Sequence, residues 1–422
     1  MTTKAPSLPL PQQQTFSAQH ATAVTSPLLP TLLFLVGVKL PSYCADQAQI
    51  SGMLDRITLV DIFTLIVCSL LAMEGKLRLS TPIVFYLGAL FVAFVFGIFF
   101  CPIDERSKLF SGFFALLMAM LYYVVSYNVV TKSSLVKPLL FGLLFGVTWQ
   151  SVIVLHDYFS AAQWFPDRME HRVRGTFRVS GQLAAYGFSM AAVCLTTATI
   201  VRQTRLRHLL LLAGAMGIFM VVAATRRSGM LAIGGGIVVY LMLSCRQWYS
   251  VKRFLLPLLL CVILCIVGYR QADSLTDSFV GSRITASVSS LTEGGSWTES
   301  ELIVAGDTFG SWFPFGVGTG CGHLLTETNH EFHNGHLSLL IELGVFGLLA
   351  FYLCLLYPLF FAWTSGSRSG EAFRVLLVTV TITAAAFMLH NRLHRDRGFM
   401  LYLGLTSGVT VTMAAGSRRS KP

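Results

Sequence analysis

The chain repeats one pattern: apolar runs of membrane-crossing length, joined by mostly short polar connections. Residues 82–101, PIVFYLGALFVAFVFGIFFC, hold no charge over 20 positions. A helix needs about 20 such residues to cross the ~30 Å hydrocarbon layer. In that layer no water satisfies backbone N–H and C=O groups, so only helices and closed barrels span it. The runs are continuous and do not alternate, which selects helices. Twelve candidates follow: 27–43, 57–73, 82–101, 109–130, 135–156, 180–201, 208–224, 228–245, 254–270, 337–363, 372–390 and 397–414. The expected fold is therefore an all-α polytopic membrane protein with 12 spans and one large outer loop between spans nine and ten. Residues 1–26 and 415–422 read as polar cytoplasmic tails, 27–270 as spans one to nine, 271–336 as the loop and 337–414 as spans ten to twelve.

Composition agrees. The chain is 54% hydrophobic and 12% charged, which excludes an ordinary soluble enzyme, a disordered chain and a secreted disulfide scaffold. The formal net charge of +11 would point to nucleic acid in a soluble protein. Here it divides by face. Lys76, Arg78, Lys132, Lys137, Arg202, Arg205, Arg207, Arg246, Lys252, Arg253, Arg368, Arg374 and the C-terminal cluster fall in alternate connections, with Glu74 and Glu371 as the acids. The positive-inside rule makes that face cytoplasmic.

The opposite face still carries 15 of the 31 basic residues, and 13 of those are Arg: Arg56, Arg106, Arg168, Arg172, Arg174, Arg178, Arg226, Arg227, Arg270, Arg283, Arg392, Arg395 and Arg397. Topology does not call for them. Guanidinium forks bind phosphate and carboxylate in a bidentate way, so the set suggests an anion site; pairing with outer acids or with headgroups is the alternative. Arg226 and Arg227 sit between two runs with almost no loop, at the membrane surface, where a guanidinium is costly unless it faces a cavity or a partner. Arg392 and Arg395, with Arg397, His390 and His394, form a similar collar.

Two outer segments stand out. In 157–179, the run His171–Arg178 alternates, which places Arg172, Arg174 and Arg178 on one side of an extended chain, with Trp164 and Phe177 at the interface. In 271–336, residues 298–309 suit a short amphipathic helix, and Pro314–Gly320 (PFGVGTG) suits a tight turn or close backbone approach. The loop ends in Asn329-His330-Glu331-Phe332-His333-Asn334-Gly335-His336. A His at the mouth of an apolar helix suits a general base, because histidine titrates near neutral pH. A metal is the other use of clustered His, although HExxH and paired Cys are missing. Nine Cys define no framework: most lie inside the runs, and Cys44, Cys101 and Cys321 near the outer face are odd in number. The GxxxG at Gly142–Gly146 suits helix packing, within one chain or between two.

Three places resemble the O-antigen ligase and polymerase superfamily of bacterial inner-membrane glycosyltransferases. His333-Asn334-Gly335-His336-Leu337, continued by Glu342-Leu343-Gly344-Val345-Phe346-Gly347, is similar to that family's His-Asn helix. Thr225-Arg226-Arg227-Ser228-Gly229 resembles its Arg-led span opening. Arg174-Gly175-Thr176-Phe177, then Gly181-Gln182-Leu183-Ala184, resembles its loop before span six. The family's Arg early in the large loop is missing from Ser296–Ser300; Arg283 lies upstream. The resemblance implies a periplasm-facing site without metal or nucleotide sugar. The donor it implies is an undecaprenyl-diphosphate-linked glycan, and for a ligase the acceptor is the lipid A–core oligosaccharide. His333 or His336 is then the base. Arg227 is the leading diphosphate contact, with Arg226, Arg174, Arg178, Arg172, Arg283, Arg392, Arg395 and Asn334 as further binding residues. A Wzy-type polymerase is the nearest alternative. A protein O-glycosyl ligase is a third reading, and a membrane transporter is a reading of another class.

Overall fold

The computed structural model describes residues 28–40, 58–75, 77–130, 133–160, 163–164, 173–177, 179–224, 227–245, 297–326, 332–364 and 370–419. Among these it is helical, without a strand. Eight helices precede the long loop: α1 (Leu28–Lys39), α2 (Leu59–Met73), α3 (Thr81–Phe100), α4 (Arg106–Val129), α5 (Ser133–Phe159), α6 (Ser180–Ile200), α7 (Thr204–Ala223) and α8 (Arg227–Cys245). Two short helices follow, α9 (Trp297–Asp307) and α10 (Phe309–Trp312). Then come α11 (Gly335–Thr364), α12 (Glu371–Phe387) and α13 (Arg397–Arg419).

Eleven of the twelve expected runs coincide with a helix, and the run 254–270 lies outside the described residues. Seven of the helices are long and apolar enough to cross a membrane; α1, α2 and the Gly229–Ser244 part of α8 are shorter apolar helices. Exposed Phe85, Phe91, Phe99, Phe145 and Phe360 form part of an apolar outer surface, as lipid contact requires.

Several boundaries differ from expectation. The fourth helix begins at Arg106, so Arg106 and Lys108 stand on a helix and not in a loop. The helix after the long loop begins at Gly335, which places His336 in its first turn. The last helix runs on to Arg419, through residues expected in a tail.

The helix α13 lies at the centre, packed on α4, α6 and α11. Its Gly404 and Gly408 let the α4 backbone approach, for a Cβ at either would overlap the Tyr123 or Tyr127 carbonyl. The glycine motif on α5 also packs within the chain: a Cβ on Gly142 would overlap the Phe34 carbonyl of α1, beside Gly37.

Contacts between described connections mark two ends of the bundle. At one end, Arg78 and Asn128 exchange hydrogen bonds of 2.7 and 2.8 Å, joining the α2–α3 connection to the foot of α4. At the other end lie the starts of α2, α4, α11 and α13 with residues 297–326 and 332–334, tied by the contacts described below.

The glycine-rich segment is built into that second end. The helix α11 breaks at Gly344, whose φ of 70° is left-handed. The break frees the Ile341 carbonyl, which accepts Val317 N–H at 2.8 Å, and the Val345 N–H, which donates to the Pro314 carbonyl at 2.9 Å. Irregular backbone is tolerated at membrane depth only when such groups are satisfied by protein. Gly318 and Gly320 then lie flat on Gly97 of α3 and Gly112 of α4, where any Cβ would collide with backbone. This is the close backbone approach expected of PFGVGTG.

Candidate active site

The start of α11 organises the site. Asn334 is its cap: Oδ1 accepts the N–H groups of His336 at 3.0 Å and Leu337 at 3.1 Å. Gly335 N–H donates to the Met388 carbonyl at 2.7 Å, which ties this helix start to the end of α12. Glu301, on α9, completes the arrangement. Its carboxylate accepts the backbone N–H of His333 at 2.7 Å and of Asn334 at 3.0 Å.

His333 therefore stands just outside the helix, held through its backbone. Its ring Nδ1 lies 3.2 Å from Glu301 Oε1, and its side chain is 59% exposed. A carboxylate at Nδ1 fixes that nitrogen as the N–H donor and leaves the lone pair on Nε2. Burial pushes the Glu301 carboxyl up, but the ring and backbone N–H groups of His333 and the Asn334 N–H outweigh it. The net pKa lies below the usual carboxylate value. A depressed carboxyl contributes stability above its unfolded pKa, and that stability is lost as pH falls through the folded value. Backbone amide protection across 333–337 should therefore hold at neutral pH and weaken only as pH falls below the usual carboxylate range. Glu301→Gln should abolish that dependence, with hydrogen exchange as the readout.

His336 has a different role. Its Nε2–H donates to the Ala385 carbonyl at 2.9 Å, and Tyr352 Oη–H donates to Nδ1 at 3.0 Å. Both nitrogens are thus held by packing partners on α12 and α11. Of the two His that the sequence leaves as candidate bases, the geometry favours His333.

Glu342 lies deeper and is 4% exposed. It accepts Gly320 N–H at 3.0 Å, Ser338 Oγ–H at 3.1 Å and the Arg395 guanidinium. Arg395 is thus directed at a buried carboxylate. Arg397 is too: its Nε and Nη2 donate to the two oxygens of Asp61 at 2.6 and 2.7 Å. Asp61 also accepts Thr58 N–H and Oγ–H, both at 2.9 Å, and Tyr122 Oη–H at 3.1 Å. Asp396 caps α13 through Phe399 N–H at 2.6 Å and accepts Ser189 Oγ–H at 2.7 Å. Between these pairs sits His394, 1% exposed. Burial, then the positive Arg395 and Arg392, hold its pKa well below the ordinary value.

Of the run His171–Arg178, residues 173–177 are described, and they do not form one extended stretch. Residues 174–177 form a turn, with Phe177 N–H donating to the Arg174 carbonyl at 3.1 Å. The turn docks on α5, where Thr176 Oγ–H donates to Gln150 Oε1 at 2.9 Å. Phe177 is buried against Tyr186 and not at the interface. Arg174 is half-buried beside that turn. Trp164 stacks on His156 at 4.1 Å between centroids, and its backbone N–H donates to Asp157 Oδ1 at 2.8 Å.

The structure thus joins His333, Asn334 and His336, and places Arg392 and Arg395 around His394 close by. Arg227 opens α8, and only its backbone is described. Arg172, Arg178, Arg226 and Arg283 lie outside the described residues.

Three participants were not singled out in the sequence. Glu301 was one acid among several in the loop. Asp61 carried a readable signal, a lone carboxylate at the start of an apolar run and three residues after Thr58, as in a capping box. His323 carried none; it donates Nδ1–H to the Gly320 carbonyl at 2.9 Å and accepts from Lys108 Nζ at 3.1 Å.

Compared with known proteins, the chain matches no protein-family model and no curated protein.

Proposed function

We propose that this chain is a lipid-diphosphate-dependent glycosyltransferase of the O-antigen ligase type. It moves a glycan from undecaprenyl diphosphate to the lipid A–core oligosaccharide at the periplasmic face of a bacterial inner membrane. One observation carries the reading: an exposed imidazole, oriented by a buried carboxylate, at the mouth of a capped helix in an apolar bundle. This is the arrangement of a general base. The motif likeness around His333 and Glu342 supplies the substrate class.

In this reading, His333 Nε2 takes the proton of an acceptor sugar hydroxyl as its oxygen attacks the anomeric carbon. The bond from that carbon to the diphosphate breaks, and the diphosphate leaves with the electron pair. Glu301 stabilises the imidazolium as it forms. External Arg stabilise the charge on the leaving group. Arg227 is the leading contact, with Arg226, Arg174, Arg172, Arg178, Arg283 and Arg392 in support. Arg395 and Asn334 act as positioning residues, through Glu342 and the helix cap.

The reading is tested by deleting the gene and resolving lipopolysaccharide on a gel. Loss of the whole ladder, with glycan retained on the lipid carrier, is the expected result. Core bearing a single repeat would assign a polymerase, and an unchanged ladder would remove both.

One observation favours a second reading, transport. The break at Gly344, beside the buried Glu342–Arg395 pair, is the kind of discontinuous helix that lines transporter sites. Against it, the freed backbone groups are bonded to the glycine-rich segment, and Glu342 already accepts three donors.

A further inference from the structure

Two of the nine cysteines come from segments 220 residues apart and meet. Cys101 closes α3, and Cys321 follows the last glycine of the glycine-rich segment. Their sulfurs are 3.3 Å apart. Both are buried, at 4% and 0% exposure, in a small cluster with Leu109, Trp312, Val317 and Phe332. A disulfide needs about 2.05 Å, so a closure of about 1.3 Å joins them.

We infer that Cys101 and Cys321 form a structural disulfide that fastens the glycine-rich segment to the end of α3. The inference rests on assigning this end of the bundle to the oxidising side of the membrane. It does not depend on the reaction proposed for the site. The co-reactant is a protein disulfide of the thiol oxidoreductase class. A Cys thiolate attacks it to give a mixed disulfide, and the second Cys thiolate displaces the carrier. The balance is two thiols and one carrier disulfide giving one protein disulfide and one carrier dithiol. Because both sulfurs end up buried, the exchange belongs to the stage before the loop docks, and the finished bond is shielded from reductants.

The position gives the bond a purpose. Gly320 N–H, one residue away, donates to Glu342, and His323, two residues on, joins Gly320 to Lys108. The segment holds three left-handed glycines and so has little order of its own. A covalent tie at Cys321 keeps those contacts in register.

The test traps thiols with acid in cells making the full chain, then alkylates denatured protein with and without reductant. Two of the nine thiols should be protected until reduction, and mass spectrometry should find the Cys101 peptide joined to the Cys321 peptide. In Cys101→Ser, that protection should disappear. Reductant should lower the thermal midpoint of the wild type and leave that of the Cys101→Ser/Cys321→Ser variant unmoved. Nine reactive thiols without reductant, or a bond through Cys44, overturns the inference. Orientation is read separately, by adding Asp104→Cys to the doubly substituted chain and labelling spheroplasts with an impermeant maleimide. Label on that site with nine free thiols in the wild type removes the disulfide alone. No label removes the disulfide and the outward orientation together.

Discussion

Asp61→Ala should leave little folded protein in the membrane. Five donors converge on this carboxylate, and it is fully buried. Removing it takes the countercharge and two hydrogen bonds from the Arg397 guanidinium, itself 7% exposed, at the start of the central helix α13. Breaking one side of a buried pair costs about 3–5 kcal/mol. Folded proteins have only about 5–15 kcal/mol to lose. The readout is the thermal midpoint and the monodisperse yield in detergent. Pairing Asp61→Ala with Arg397→Leu should recover part of the loss, because the buried charge is removed with its countercharge. An unchanged midpoint in the single variant would show that the pair does not hold α2, α4 and α13 together.

His333→Ala should lower kcat for glycan transfer by about 10²–10⁴-fold, the range of a positioned general base. Donor KM should change little, because the ring is assigned to the acceptor proton. The fold should survive, since the helix cap rests on Asn334 and on backbone groups of residue 333. Glu301→Gln should cause a smaller loss, again in kcat, by removing the charge that stabilises the imidazolium. His336→Asn should act differently: it breaks the contacts to Ala385 and Tyr352 and lowers the thermal midpoint more than it lowers kcat. If His336 variants lost transfer while His333 variants kept it, the roles of the two rings would be exchanged.

The sequence made the helices legible because lipid imposes one local rule on every span. Runs such as 82–101 and 180–201 lie within a residue or two of helices ending at Phe100 and Ile200. The glycine turn was readable for the same reason, and so was a short helix near 298–309; it spans Trp297–Asp307 and is not amphipathic, since it exposes Leu302 and Ile303 and buries Glu301. What failed depended on contacts between distant residues. Glu301 reaches His333 across 32 positions, and Arg395 reaches Glu342 across 53. No periodicity marks such pairs. Phe177, inside the Arg-rich run, suits the interface by residue type, yet the 174–177 turn folds it onto Tyr186. The outer arginines divide likewise. Arg395 and Arg397 are directed at internal carboxylates, so the anion-binding reading passes to Arg227, Arg174, Arg392 and those outside the described residues.

The central claim is that a carboxylate-oriented His333 drives transfer from a lipid diphosphate. The most direct measurement reconstitutes the purified full chain in vesicles with a polyprenyl-diphosphate-linked glycan, lipid A–core and a metal chelator. Glycosylated core and released polyprenyl diphosphate are then counted together. The wild type should release one diphosphate per glycan transferred, and His333→Ala should lose both products with donor binding retained. Transfer by His333→Ala at the wild-type rate, or a wild type that binds the donor and releases no diphosphate with acceptor present, would contradict that claim.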